Sequence, residues 1–263
     1  MLDFLLDTHD IPQTSWGIRP ILFHIGGLGV TSYAFFVGLG MIAGGIVYWR
    51  HSRKFKQNGD HVFYVALAAI LGGAIGAKLL EWAINYQYVA VHFNDINTFI
   101  YGRTLVGGLL GGLAGVLIVK RKLGIKQRMG NAFAPAVALG VAIGRIGCFL
   151  TGCCYGKPTG LSWYGVNFGD GILRHPTQIY ESLFMLGLFV YFEKRSRSAD
   201  IKPGQLFTEL LLAYFTFRFF LEFIKAEPVV IAGFTIFQII SAIVIIYLVF
   251  AKEKVLKAAL ARN

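Results

Sequence analysis

Apolar residues dominate seven stretches of the chain, near 28–49, 62–84, 104–119, 132–150, 176–192, 205–224 and 232–251, and polar or charged residues collect between them. Each stretch is close to the roughly 20 residues that cross a bilayer as a helix. The pattern predicts an all-α, polytopic membrane protein with about seven transmembrane helices, the third and fifth having the softest boundaries. Residues 18–27 (IRPILFHIGG) predict an interfacial prelude, because Pro20 and the paired Gly26-Gly27 discourage a continuous helix. Gly107, Gly111 and Gly115 recur every fourth position on the third stretch, spacing that lets helix backbones approach closely in lipid. No polar segment is long enough to fold alone, so a single membrane domain over 1–263 is expected.

Composition agrees with the pattern: 56% of the 263 residues are hydrophobic and 15% charged. The net charge of +11 decides topology rather than partner class, because the basic residues fall in alternate loops. Seventeen of the 25 lysines and arginines follow the first, third, fifth and seventh stretches (Arg50 to Lys56, Lys120 to Arg128, Lys194 to Lys202, Lys252 to Arg262). Only Arg19, Arg103, Lys157, Arg174 and Lys225 occupy the opposite loops. The positive-inside rule then predicts an outer N-terminus and a cytoplasmic C-terminus, with the basic loops drawn to anionic headgroups and no role for nucleic acid. The first 17 residues carry Asp3, Asp7 and Asp10 and lack the basic region of a signal peptide, as a short translocated tail does. Aromatic residues at 85–103, including Tyr86, Tyr88, Phe93, Phe99 and Tyr101, suit a headgroup-level belt.

Charge inside the apolar stretches narrows the chemistry, since a charge at mid-bilayer costs about 2.5–3.5 kcal/mol on insertion scales and persists when paired or functional. The chain carries Lys78 and Glu81 on the second stretch, Arg145 on the fourth, Glu181 on the fifth, and Glu209, Arg218 and Glu222 on the sixth. Spacings of three and four residues allow Lys78 to meet Glu81, and Arg218 to meet Glu222. The predicted orientation puts Lys78, Arg145 and Arg218 at similar depth in the outer half, with His175 and Glu181 near the outer start of the fifth helix. Arginine forks hold phosphate bidentately, so a phospholipid headgroup is the natural ligand for such a cluster. Pro176 fits the first turn of a helix. Tyr214 lies one turn from Arg218 and can hydrogen-bond a phosphate or ester oxygen.

The stretch GRIGCFLTGCCYG at 144–156 gathers Arg145 and all three cysteines, Cys148, Cys153 and Cys154, within ten residues. It resembles the signature of the prolipoprotein diacylglyceryl transferases. Three further stretches agree with that family in order and spacing: RPILFHIGGLGVTSYAFFVGLGMIAG at 19–44, RHPTQIYES at 174–182 and YFTFRFFLEFIKAEP at 214–228. The resemblance spans nearly the whole chain. It implies an enzyme of the bacterial cytoplasmic (inner) membrane that moves the diacylglyceryl group of phosphatidylglycerol to the thiol of a lipobox cysteine in a lipoprotein precursor. Glycerol 1-phosphate is released, and no metal or other cofactor is required. By the same resemblance Arg145 and Arg218 hold the leaving phosphate, Tyr214 lines the reacting centre, and Tyr33, Lys78, His175, Gln178, Tyr180 and Glu222 shape the substrate site.

The chain departs from the family where the acceptor thiol is handled. The family's histidine on the third helix, thought to supply a base, is Val106 here, followed by Gly107-Gly108. Two signature asparagines are Cys148 and Thr151, the signature glutamate is Cys153, and two family arginines are Lys78 and Lys225. Cations beside a thiol raise its thiolate fraction, so Cys153 or Cys154 suits a nucleophile or a substitute base. The residues leave several outcomes open: small apolar fillers, a thiol intermediate that passes the lipid group to another acceptor, a redox pair, or a non-catalytic lipid-binding protein.

Overall fold

The computed structural model describes residues 18–260, except 27, 58, 60, 96, 97, 100, 101, 162 and 199 and the side chains of residues 28 and 251–260. The acidic N-terminal tail, Tyr101 and the basic side chains beyond 250 lie outside these described residues. The described chain is mostly helical, and each of the seven apolar stretches coincides with a helix: α1 (Ser32–Lys54), α2 (His61–Ile84), α4 (Leu105–Lys122), α5 (Gly130–Thr151), α6 (Thr177–Arg195), α7 (Gln205–Leu221) and α8 (Ile236–Leu260). A short α3 (Tyr86–Val91) interrupts the aromatic loop. Of these, α1, α2 and α5 are long and apolar enough to cross a membrane.

Two apolar stretches begin earlier in the sequence pattern than as helices. Residues 28–31 are not helical but form β2 (Leu28–Thr31), paired antiparallel with β1 (Ile21–Ile25) across a turn where Gly26 has φ +54°. Likewise β5 (Val229–Ile231) and β6 (Phe234–Thr235) form a hairpin through Ala232 (φ +49°) and Gly233 (φ +85°), so α8 starts at Ile236 rather than 232. Hydropathy records what a segment can be buried in, and a short apolar strand satisfies it as well as a helical turn does. The left-handed turn residues decide between the two.

The chain divides into two compact units, residues 52–129 and residues 1–51 with 130–263. In the first, α2 and α4 pack backbone to backbone along the glycine stripe. A Cβ on Gly76 would stand 2.5 Å from the Gly107 carbonyl oxygen and 2.6 Å from the Gly111 Cα, so no larger residue fits. In a membrane this close approach supplies the association that the hydrophobic effect supplies in water. Thr104 caps α4, its Oγ1 accepting from Gly107 N at 3.2 Å while its own N–H donates to Ala77 O at 3.2 Å.

In the second unit α5 packs against α6 and α7, and α7 packs against α8. Asn131 joins the starts of α5 and α7: its Nδ2 donates to Lys202 O at 3.0 Å and its Oδ1 accepts from Leu206 N at 3.0 Å, satisfying a helix-terminal donor. The segment after α5 is covered by a small core of Phe149, Val166 and Phe168, where β3 (Val166–Asn167) and β4 (Leu173–Arg174) pair. The N-terminal hairpin is tied to the same end of α5, since Arg19 N donates to Leu150 O at 2.8 Å and Ser32 N to Pro20 O at 2.8 Å.

Candidate functional site

Three helices of the second unit deliver buried charge to one place: Arg145 from the last two turns of α5, Glu181 from the first turns of α6, and Tyr214 and Arg218 from α7. Glu181, 1% exposed, is the hub. Arg145 Nη2 lies 2.9 Å from each of its oxygens, Tyr214 Oη donates to Oε1 at 3.0 Å, and Arg218 Nη1 stands 3.8 Å from Oε2. Arg218 also forms an ion pair with Glu222 one turn on and lies over the Phe237 ring at 5.0 Å. Glu222 accepts from Thr235 Oγ1 at 3.0 Å. Buried Lys225 completes the cluster, 3.8 Å from Glu227 and close enough to Arg145, Arg218, Glu181 and Cys154 to interact with each. Burial and Arg218 pull its ammonium below the usual lysine range.

Three buried cations face two buried carboxylates, and the third cation, Lys225, is met by the half-buried Glu227 at 3.8 Å, beyond hydrogen-bond distance. Several donors also lack partners: Arg145 Nε and Arg218 Nε and Nη1 are buried and make no hydrogen bond. An anion with several acceptor oxygens would satisfy these donors, because unpaired buried guanidinium N–H groups are costly to leave unmade.

The cysteine turn is fixed against this cluster by backbone. Gly152 (φ +79°) ends α5, and Cys154 adopts the left-handed conformation (φ +63°) that side-chain-bearing residues rarely take. Gly156 N donates to His175 O at 2.8 Å and Lys157 N to Ile224 O at 2.7 Å, stitching the turn to the start of α6 and the end of α7. A Cβ on Gly156 would lie 2.6 Å from the Ile224 carbonyl oxygen, so the close approach requires glycine. From α6, Thr177 Oγ1 donates to Cys154 O at 2.8 Å and Gln178 Nε2 to Cys153 O at 2.5 Å. Arg145 Nη1 lies 3.9 Å from Cys148 Sγ, and the Cys153 thiol donates to Cys148 O at 3.6 Å. All three cysteines are free thiols, Cys148 buried, Cys153 half-buried and Cys154 exposed.

The sequence-derived residues therefore divide by surroundings. Arg145, Tyr214, Arg218 and Glu222 are brought together, and Cys153 and Cys154 adjoin them. Gln178 braces the cysteine turn. Tyr33, half-buried at the start of α1, has its Cα 3.3 Å from where a Cβ on Gly147 would stand, beside α5. His175 contacts two tyrosines, Nδ1 lying 3.4 Å from Tyr180 Oη and its ring 5.6 Å from that of Tyr164. Lys78 belongs to the other unit, where its Nζ donates to Gly102 O at 3.2 Å and lies 5.7 Å from the Trp82 ring. The same unit contains Val106, 1% exposed on the first turn of α4. Sequence reasoning put Glu181 in the outer cluster of charges without a catalytic or binding role, gave Lys225 only as the counterpart of a family arginine, and gave Thr235 no role. A carboxylate at the only depth where two arginines converge was the available signal for Glu181; nothing in the pattern singles out Thr235.

The fold and site define a helical protein with membrane-capable helices and a buried arginine cluster whose unpartnered donors suit an anion with several oxygens. The particular family is a matter of sequence: a family model described as prolipoprotein diacylglyceryl transferase matches residues 20–251, and the chain belongs to that family. It is similar to the phosphatidylglycerol–prolipoprotein diacylglyceryl transferase of Clostridium tetani, 35% identical over 218 residues that cover 80% of this chain and 87% of the relative. It is also similar to a protein of Clostridium perfringens named phosphatidylglycerol–prolipoprotein diacylglyceryl transferase 2, 30% identical over 225 residues, covering 80% and 85%. The Clostridioides difficile transferase of the same name is 30% identical over 231 residues, covering 86% and 91%.

Proposed function

We propose that this protein transfers the diacylglyceryl group of phosphatidylglycerol to a cysteine thiol of a lipoprotein precursor. One observation carries the reading: the Arg145–Glu181–Arg218–Glu222–Lys225 cluster is rich in buried cations and keeps unpartnered guanidinium donors, the complement of a phosphodiester monoanion. In this reading Arg145 and Arg218 bind the phosphate oxygens and stabilise the second negative charge that appears as the glycerol C3–O bond breaks. Tyr214 and Glu181 hold the two guanidinium forks in position, and Glu222 aligns Arg218 from the other side. Tyr33, His175, Gln178 and Tyr180 shape the lipid and peptide sites, and Cys153 and Cys154 stand where the acceptor thiol arrives.

The same reading makes residues 1–263 one domain with seven membrane crossings, the N-terminus outside and the C-terminus in the cytoplasm of a bacterial cell. Support comes from the alternate basic loops, with seventeen of 25 basic residues on one side. The enzyme is then a multi-pass protein of the cytoplasmic membrane with its lipid site in the outer leaflet. A relay in which a cysteine first takes the lipid group and then hands it on is disfavoured by chemistry, because a thioether at a primary carbon has a poor leaving group. Mass spectrometry of the purified protein and a lipobox peptide after incubation with phosphatidylglycerol tests the proposal. A diacylglyceryl mass on the peptide supports it. An unmodified peptide beside folded, lipid-loaded protein refutes it.

A further inference from the structure

Alkylating a thiol at carbon requires the thiolate, so some group must accept the proton of the incoming cysteine. Among the described residues of this unit the basic groups are mostly committed. Glu181 takes hydrogen bonds or ion pairs from Arg145, Tyr214 and Arg218, Glu222 is engaged by Arg218 and Thr235, and Tyr214 donates its own proton to Glu181. His175 stands in the aromatic group of Tyr164 and Tyr180, on the far side of the backbone bridge to Gly156. Of the thiols, Cys148 is buried on α5, and Cys153 directs its S–H at Cys148 O. Cys154 alone is exposed, although dense protein surrounds its turn. Its carbonyl accepts from Thr177 Oγ1 at 2.8 Å, which holds its left-handed backbone in place.

We infer that Cys154 is the base that takes the proton from the acceptor thiol, an inference that rests on the transfer reaction proposed above. The titratable and charged groups that face it are Arg145 and Cys148 from α5, Cys153 from its own turn, and Lys225 beyond α7. The turn is bridged to Lys225 through Gly156. The neighbouring Cys148 and Cys153 thiols hold the Cys154 thiol well below the usual range, and Lys225 and Arg145 act in the same direction. Without lipid, the Cys154 thiolate is an anion facing Lys225 and Arg145. When the phosphodiester binds, its charge takes over that role, and the thiolate beside it becomes more basic.

The step balances. The acceptor S–H bond breaks as its proton joins Cys154 Sγ, and the freed electron pair on the acceptor sulfur forms the C–S bond at glycerol C3. The C3–O bond breaks, its electron pair leaving with glycerol 1-phosphate. That phosphomonoester has a second pKa near 6 and takes the proton back from Cys154, restoring the thiolate.

Two experiments on the full-length purified protein in phosphatidylglycerol vesicles test the inference. In the first, transfer to a lipobox peptide is followed from pH 6 to 9. Cys154→Ala is expected to lower kcat/KM at pH 7 by about a hundredfold, within the usual range for a lost general base. Its rate should then climb tenfold per pH unit toward the acceptor's own thiol pKa of about 8.5. Cys154→His, a residue that tolerates the left-handed backbone, should restore neutral activity and lose it below about pH 6.5. In the second, iodoacetamide labelling mapped by mass spectrometry should mark Cys154 before Cys148 or Cys153, more slowly as pH falls, and more slowly still at acidic pH once phosphatidylglycerol replaces a neutral lipid. Transfer by Cys154→Ala equal to wild type at every pH overturns the inference while leaving the transferase reading intact. A diacylglyceryl mass on Cys154 overturns it in favour of a nucleophile. If the wild type transfers nothing, the transferase reading fails and this inference falls with it.

Discussion

The Glu181 carboxylate offers the sharpest test of how the charge cluster is built. Replacing it with glutamine keeps the volume but removes the only buried anion that Arg145 contacts, and it turns two acceptor oxygens into one acceptor and one donor. Three donors converge on the wild-type carboxylate, two of them guanidinium groups from α5 and α7, and its exposure is 1%. Breaking a buried ion pair by deleting one partner costs about 3–5 kcal/mol, because the remaining charge stays buried and uncompensated. At roughly 2–4 °C per kcal/mol for a chain near this size, thermal unfolding of Glu181→Gln should fall by about 6–20 °C. Differential scanning fluorimetry in detergent reads that shift directly. The variant's cluster is one unit more positive than that of wild type, so phosphatidylglycerol should raise its melting temperature by more than it raises that of wild type, with a smaller effect of phosphatidylcholine. Adding Arg145→Met to Glu181→Gln removes both partners and should recover much of the lost stability, as apolar replacement of buried ion pairs commonly does. Unchanged stability of Glu181→Gln, or a further loss in the double variant, would refute the counter-ion role assigned here.

Other consequences follow from the same geometry. Arg145→Ala should abolish transfer while leaving the fold, since Glu181 keeps Arg218 and Tyr214; retained turnover by mass spectrometry counts against the phosphate role. Arg218→Lys keeps the charge but not the planar fork, so lipid affinity measured by vesicle-binding titration should drop about tenfold, near 1.4 kcal/mol. Gly156→Ala puts a methyl group 2.6 Å from the Ile224 carbonyl oxygen and should cost about 1–3 kcal/mol, read as a lower melting temperature with faster alkylation of Cys153 as the turn opens. In the other unit, Gly111→Val collides with the α2 backbone at Gly76 and should expose the 52–129 segment to limited proteolysis; wild-type resistance would show that the stripe tolerates bulk.

The helices were legible because hydropathy and the cost of unpaired backbone in lipid both act over long windows. The hairpin of β1 and β2 was not, because its apolar residues read as the start of α1 and only the left-handed turn at Gly26 tells them apart. The two arginines of the site and Tyr214 were also legible, since a charge inside an apolar stretch needs a partner or a purpose. What sequence could not supply was the pairing. The four-residue spacing of Arg218 and Glu222 predicted their contact, whereas the stronger assembly around Glu181 joins residues 33 to 37 positions apart on three helices. Thr235 is harder still: it supports Glu222 only because the β5–β6 hairpin folds back, and no local pattern marks a threonine for that duty. Gln178 was legible as a polar residue at the start of α6, but its hydrogen bond to the backbone of Cys153, 25 residues earlier, was not.

The departures of this chain from its family acquire a physical logic when charge is followed through a turnover. Neutral Val106 is buried on α4 of one unit, while in the other a lysine at 225 and three thiols share one neighbourhood. A histidine base accepts a proton and becomes a cation, which neighbouring cations disfavour. A cysteine base begins as an anion and ends neutral, so it carries negative charge before the lipid arrives and gives it up as negative charge accumulates on the phosphate. Lysine at 225 suits that exchange, since a buried ammonium responds more strongly to nearby charge than a guanidinium, whose ionisation is fixed. The two substitutions are thus coupled through one electrostatic requirement. Cys154→His should therefore work best with the lysine at 225 replaced by no cation at all: in a Lys225→Met background its transfer rate should exceed that of Cys154→His alone, and a lower rate in the double variant would break the argument.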